Sequence, residues 1–209
     1  MNPDSPIVFV VDDDFRVRES LCSLISSMGL QVAVFASAAE FLEREKPDAP
    51  ACLILDLQLP GTSGLELQQH LANGDAPPIV FITGHGDIPS SVSAMKAGAI
   101  EFLSKPFSEQ TLMHAIKNAI TIDRTARQKR SELAELQRHY SLLTPREREV
   151  LPFVVGGYAN KVTAADLGTS EITIGVHRGQ IMRKMEAKSL AELVRMADKL
   201  GVTSTSKPV

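Results

Sequence analysis

The sequence predicts an α/β chain: a doubly wound, five-stranded parallel sheet with helices on both faces, followed by a small all-α domain. Three observations carry that prediction. From Ile7 to about Ile122, short apolar runs alternate strictly with helical patterns. The runs VFVV, CLIL and IVFI are apolar at consecutive positions, as befits parallel strands buried on both sides. Beyond Leu143 strand signals stop and helix caps multiply.

In order, IVFVV, LQVAVF, CLILD, PIVFI and AIEFL read as strands. The segments RVRESLCSLISSM, SAAEFLERE, SGLELQQHLA, PSSVSAMKA and SEQTLMHAIKNAI read as the helices between and after them. Ser37 with Glu40 and Ser63 with Glu66 have capping-box spacing, and Gly29 and Gly98 stand where helices should stop. From Asp123 to Leu143 there is no strand signal, Pro or Gly. Ala119, Ile122, Ala126, Lys129, Leu133, Leu136, Tyr140 and Leu143 form a heptad-like stripe with one basic interruption. This linker helix either lies on its own domain or forms a coiled-coil dimer seam. A new module opens at LTPREREVL, with Thr144 as N-cap, Pro145 in the first helical position and Glu147 completing the box. Further helices are expected at about 160–167, 170–186 and 189–200, and the tail TSTSKPV is expected to be disordered. The domains are therefore set at 1–122, a helical linker at 123–141, and 142–205.

A chain of 209 residues that is 44% hydrophobic can bury a real core. It shows no signal-peptide pattern and no run of 18 apolar residues, so a cytoplasmic protein without a membrane partner is expected. Cys22 and Cys52 lack metal or redox spacing and read as buried reduced thiols. The net charge of −3 conceals an asymmetry: residues 1–122 carry 7 basic against 15 acidic residues, and residues 123–209 carry 15 against 10. The basic half suits a polyanion such as nucleic acid, although a solvated surface gives the same modest surplus.

In an open parallel sheet, ligands gather at the carboxyl ends of the strands. Those ends carry Asp12 and Asp13, then Asp56, then Thr83, then Lys105, all on one predicted edge. Like charges about 4 Å apart repel by roughly 4 kcal/mol at an effective dielectric near 20. A hard divalent cation is the natural neutraliser, and Mg²⁺ accepts one or two carboxylates plus water and a phosphate oxygen. Asp56, alone at the end of the central strand, is the candidate nucleophile toward a phosphoryl group. Lys105 would offer a point cation and Thr83 a hydrogen bond. Asp14 is assigned to the start of the first helix, where its charge suits the N-terminus.

These residues resemble a two-component receiver domain: the acidic pair Asp12 and Asp13, phosphoacceptor Asp56, switch hydroxyl Thr83, aromatic switch position Phe102, and Lys105 followed by Pro106. The resemblance covers residues 7–120 and implies a flavodoxin-like sheet of order 2-1-3-4-5. It further implies a cis Lys105–Pro106 bond, a sensor histidine kinase as phosphodonor, and Mg²⁺ on Asp12, Asp13, Asp56 and the backbone carbonyl of Gln58. The tract FITGHGDIPSSVSAMKAGAIEFLSKPF is similar to the FixJ branch.

In the second half, ANKVTAADLGTSEITIGVHRGQIMRKM reads as helix, turn with Gly168, helix, a geometry that offers the second helix to a DNA major groove. With Ile174, Ile181 and Met185 inward, Val176, Gly179, Gln180 and Arg183 point away. Lys161, Arg178, Arg183, Lys184 and Lys188 supply cations for phosphates, and Thr173, Val176, Gln180 and Arg183 are the candidate groove contacts. On pattern alone, a four-helix protein-interaction bundle fits equally. LTPREREVL through QIMRKM also resembles the LuxR-type (NarL/FixJ) DNA-binding domain over about 142–202. Together the halves resemble a FixJ-type response regulator, which implies promoter DNA, RNA polymerase and a phosphorylation-dependent homodimer as partners.

Four positions depart from the family pattern. Pro152 falls inside a predicted helix, at a cost of about 3 kcal/mol unless the helix bends. Thr163 stands where an apolar residue is usual. Gly175 and Gly179 replace long polar side chains and offer nothing to base edges. Two rivals remain. A Mg²⁺-dependent phosphohydrolase would use the same aspartyl nucleophile, but Gln58 stands where a second acid could serve a leaving group, so only slow self-dephosphorylation is expected and not an enzyme. A regulator acting through protein contacts, with a weakened DNA domain, draws on the two glycines.

Overall fold

A computed structural model describes residues 5–45, 48–72, 74–84 and 88–203. From residue 204 on, the tail expected to be disordered lies outside the described residues. The chain divides into two compact units, Met1–Arg127 and Gln128–Val209.

In the first unit the strands are β1 (Ile7–Val11), β2 (Gln31–Phe35), β3 (Ala51–Asp56), β4 (Ile79–Thr83) and β5 (Glu101–Ser104). The helices are α1 (Phe15–Ser27), α2 (Ala38–Glu43), α3 (Gly64–Leu71), α4 (Ile88–Lys96) and α5 (Glu109–Ser141), the last running on into the second unit. All strand pairs are parallel and the order is β2-β1-β3-β4-β5, as the resemblance implied.

The strand alternation sorts the core onto two faces. Val8, Val10, Cys52, Ile54, Val80 and Ile82 pack with Leu21 and Ile25 of α1 and Leu112 and Ile116 of α5. Phe9, Val11, Leu53, Leu55, Ile79 and Phe81 pack with Phe41 of α2, Leu67 of α3 and Ala94 of α4. Every residue of β3 and β4 is buried, so consecutive apolarity there was a requirement of both faces. The sheet edge at β2 is only partly covered.

Local signals are honoured with small differences. Asp14 is the N-cap of α1 and accepts from the Arg16 amide at 2.8 Å. Ser63 and Glu66 form a complete capping box on α3. At α2, Ser37 caps the Glu40 amide, but the Glu40 carboxylate reaches one residue further back, to the Ala36 amide at 2.7 Å. Gly29 and Gly98 have φ of +75° and +92°, conformations that side chains disfavour. Cys52 is buried, whereas Cys22 is only half-buried, and both are free thiols.

β3 is fixed at its N-terminal end by a distant acid. Leu53 donates to the Pro78 carbonyl at 2.9 Å on the β4 side, but the Ala51 amide, two residues earlier, lies beyond the start of β4. Asp123 of α5 accepts from it at 2.8 Å and is held in turn by Arg127 Nε at 2.9 Å.

The second unit contains α6 (Pro145–Val155), α7 (Asn160–Asp166), α8 (Glu171–Lys184) and α9 (Leu190–Lys199). Its core gathers Leu143, Val150, Leu151, Val154, Ala164, Ile174, Ile181, Met185 and Leu193. Thr144 and Glu147 form a full capping box on α6, which continues through Pro152 to Val155. Thr163 is fully buried, and its hydroxyl donates to the Ala159 carbonyl at 3.2 Å, which explains how a polar residue occupies that place. The heptad stripe is divided along α5. Ala119 belongs to the first unit's core, Tyr140 and Leu143 to the second's, while Ile122 and Leu133 between them are exposed.

Candidate functional site

The acidic edge is built by strand ends. β1 delivers Asp12, which is wholly buried, and Asp13, which is exposed; β3 delivers Asp56, nearly buried. A carboxylate oxygen from each lies within 4.8 Å of the others. The loop after β5 brings Lys105 to them, and its Nζ donates to Asp12 Oδ2 at 2.8 Å and to Asp56 Oδ2 at 3.1 Å. The Lys105–Pro106 bond is cis. The Lys105 amide donates to the Thr83 carbonyl at 2.7 Å, tying the ends of β4 and β5 together.

The electrostatics leave this edge short of positive charge. Burial raises the Asp12 carboxyl above its ordinary range despite the hydrogen bond from Lys105. Burial lowers the Lys105 ammonium, yet its hydrogen bonds to Asp12 and Asp56 outweigh that and hold it above its ordinary value. Desolvation wins at Asp12 because that side chain has no exposure; pairing wins at Lys105, whose side chain is 24% exposed. One ammonium among three carboxylates leaves a net negative cluster of hard oxygen donors, which fits a divalent cation such as Mg²⁺.

The other expected residues fall into place around this core. The Gln58 amide donates to Asp56 Oδ1 at 3.2 Å. Thr83 is buried at the end of β4. Phe102 is not in the cluster: it is half-buried in β5, with its ring 6.2 Å from that of Phe81. Two contributors escaped the sequence reading. Arg18 of α1 donates to the carbonyls of Asp12 at 2.7 Å and Asp13 at 2.8 Å, fixing the acidic turn. Gly64, the first residue of α3, packs so closely behind Asp56 that a Cβ there would lie 2.4 Å from the Asp56 carbonyl oxygen. The sequence signal for Arg18 is its place one turn into α1; for Gly64 it is a glycine directly after an N-cap serine.

The second surface is α7, the turn with Gly168 at φ +62°, and α8 capped by Ser170. Ile174, Ile181 and Met185 are buried, as the helical phase required. Val176 is 57% exposed, and Lys161, Arg183 and Lys188 are exposed. Thr173 bonds back to the cap, its hydroxyl 2.8 Å from Ser170 Oγ. Gln180 is half-buried and accepts from Arg183. Two of the expected phosphate cations have partners within the unit. Lys184 Nζ donates to Glu147 Oε2 at 2.7 Å, pairing with a carboxylate that is itself buried. Arg178 is half-buried and donates to the Tyr158 carbonyl at 3.0 Å. Counting charge along a helix could not distinguish these two from Lys161 or Lys188, because their partners come from other segments.

Comparison with known families follows the same division. Residues 8–117 match the response regulator receiver domain, and residues 141–197 match the luxR family of bacterial regulatory proteins. The chain is a response regulator of this family. Nodulation protein W of Bradyrhizobium diazoefficiens is 49% identical over 199 residues, covering 95% of this chain and 88% of that protein. Transcriptional regulatory protein FixJ of Azorhizobium caulinodans is 46% identical over 203 residues, covering 96% and 95%. Response regulator protein TodT of Pseudomonas putida is 45% identical over 201 residues, covering 96% and 88%. Among solved structures, the response regulator StyR is similar with a TM-score of 0.85 at 49% identity, covering 93% of this chain and 99% of that one. The acidic edge is thus a receiver site, and α7–α8 is the helix-turn-helix of a LuxR-type domain. Such receivers are in general not enzymes. No helix of the response regulator, among the described residues, is long and apolar enough to cross a membrane.

Proposed function

We propose that this response regulator accepts a phosphoryl group on Asp56 from a sensor histidine kinase and thereby controls binding of its second unit to promoter DNA. The observation that carries the reading is the convergence of Asp12, Asp13 and Asp56 at one edge of the sheet, with Lys105 Nζ bonded to Asp12 and Asp56. Asp12, Asp13, Asp56 and the Gln58 backbone carbonyl would hold Mg²⁺, which supplies positive charge to offset the incoming phosphoryl oxygens. An Asp56 oxygen attacks phosphorus as the phosphorus–nitrogen bond to the kinase histidine breaks, and the histidine keeps that electron pair. Lys105 moves its hydrogen bond from the free carboxylate to the acyl phosphate. Thr83 donates to a phosphoryl oxygen, and Phe102, at present outside the cluster, follows it inward. With the exposed Gln58, and not an acid, two residues past Asp56, turnover is limited to slow self-dephosphorylation.

On the output side, the receiver spans 1–122, the helical linker 123–141 and the DNA-binding domain 142–205. Phosphorylation reshapes the α4–β5–α5 face and favours a homodimer matched to a two-fold DNA site, where RNA polymerase is engaged. A cytoplasmic location suits both the kinase and the DNA. Lys161, Arg183 and Lys188 contact phosphates; Thr173, Val176 and Gln180 face the groove. Arg178 and Lys184 stabilise the domain instead. A second reading, action through protein contacts, is favoured by Gly175 and Gly179, which leave the outward helix face short of polar readers.

The test measures DNA affinity and oligomeric state with and without a small-molecule phosphodonor, for wild type and Asp56→Asn. The expected result is a phosphodonor-dependent rise in both for wild type alone. Equal values in all four samples refute the proposal. Affinity that does not fall with salt favours the protein-contact reading.

A further inference from the structure

We infer that α8 reads thymine through its 5-methyl group, using Ile172 and Val176 as the specificity-determining side chains. The inference rests on the DNA-binding reading above and adds to it the chemistry of the base contact.

At about 100° per residue, Ile172, Val176, Gly179 and Arg183 fall within an arc of about 60° on α8, while Ile174, Ile181 and Met185 lie on the opposite side. The buried positions confirm the phase, since all three of the latter are buried in the core. The stripe therefore points directly away from the domain. Ile172 is 82% exposed, the most exposed large apolar side chain among the described residues, and Val176 is 57% exposed. Neither serves the core, and neither follows from the capping of α8, which Ser170 and Thr173 provide.

The neighbours of the stripe say what should cover it. A Cβ on Gly179 would meet nothing within 4 Å, so that position is open space rather than a packing constraint. A Cβ on Gly175 would stand 3.6 Å from Asn160 Nδ2, which places the first turn of α7, with the exposed Lys161, along its border. Arg183 closes the stripe at its other end, and Lys188 lies exposed just past α8. An apolar strip with cations at its margins matches a major groove whose phosphates flank thymine methyl groups. A protein partner would match it only with an apolar patch rimmed by carboxylates, whereas DNA presents phosphates beside every base. The absence of side chains at Gly175 and Gly179 lets the backbone approach the base edges closely, so two short apolar groups can reach what a long polar residue would otherwise hold at a distance.

The test uses the full chain with a phosphodonor and a duplex selected from a randomised pool. Each thymine of the selected site is replaced in turn by deoxyuridine, which removes only the methyl group. Wild type should lose about 3- to 4-fold in affinity at one or more positions, the worth of one buried methyl. Val176→Ala and Ile172→Ala, each checked by thermal unfolding to be folded, should each abolish the loss at its own position. If every deoxyuridine duplex binds like its thymine parent, or if the losses persist in both variants, the inference fails while DNA binding stands. If no duplex is enriched and binding is independent of salt, the DNA-binding reading fails and takes this inference with it.

Discussion

At the acidic edge of the first unit, three carboxylates from the ends of two strands gather with one ammonium, Lys105 Nζ, which pairs with Asp12 and Asp56. In the helical unit the half-buried Lys184 is paired with Glu147 and Arg178 with the Tyr158 carbonyl, while Lys161 and Lys188 are exposed. The first arrangement is incomplete by charge and calls for a ligand at one point. The second is complete inside and spreads its demand over a surface, as a polyanion requires. A concentrated deficit and a dispersed surplus are two ways to bind phosphate: one takes a single group through a cation, the other takes a lattice of them directly.

The sharpest way to break the comparison is at the deficit itself. Asp56→Asn removes the nucleophile and should abolish phosphoryl uptake from a labelled phosphodonor, leaving the protein folded. Retained uptake at wild-type level would move the acceptor elsewhere.

The claim that the helical unit is complete inside is tested at Glu147. Glu147→Ala leaves the Thr144 amide and Lys184 without their acceptor and should cost about 3 kcal/mol in the unfolding of that unit. The same pair gives a pH signature. Burial raises the Glu147 carboxyl, but the bonds from Lys184 and Thr144 outweigh it and hold the group below its ordinary 4.5. The folded state then binds fewer protons than the unfolded one, so this contribution is complete above about pH 4.5 and declines as pH falls through the depressed folded value. Denaturant melts of wild type and variant should converge under acid. A gap of constant size down to pH 2 would dissociate Glu147 from it.

Next in size is the steric support of the acidic edge. Gly64→Ala forces a Cβ toward the Asp56 carbonyl oxygen and should destabilise the first unit by about 2 kcal/mol while slowing phosphorylation. Unchanged stability would show that α3 shifts freely. The smallest effect separates outward from inward lysines. Lys161→Ala should weaken DNA binding a few-fold and reduce the log–log salt slope by about one, whereas Lys184→Ala should lower stability with the slope unchanged. Equal slopes for the two variants would erase the distinction.

The same contrast governs what could be read from the sequence. Strands buried on both faces must be apolar throughout, so β1, β3 and β4 announced themselves, and whatever polar residue ended each strand had to lie on the same edge. Asp12, Asp56, Thr83 and Lys105 were legible for that reason. Gly64 was not, because a close approach between a helix start and a strand end leaves no periodic trace. In the helical unit the phase of α8 was legible from Ile174, Ile181 and Met185, but the fate of its cations was not. Whether Lys184 faces outward or reaches Glu147, 37 residues earlier, depends on tertiary packing. Ile172 was not singled out in the sequence, although the phase of α8 places it outward; its 82% exposure is what marks it.

The bond between Asp123 and the Ala51 amide has a consequence for solution measurement. That amide lies past the end of the neighbouring strand, so no sheet partner slows its exchange with solvent, and its protection comes from a side chain of α5. The exchange rate of this one proton therefore serves as a clock for the docking of α5, separable from the unfolding of the sheet that governs Leu53 two residues on.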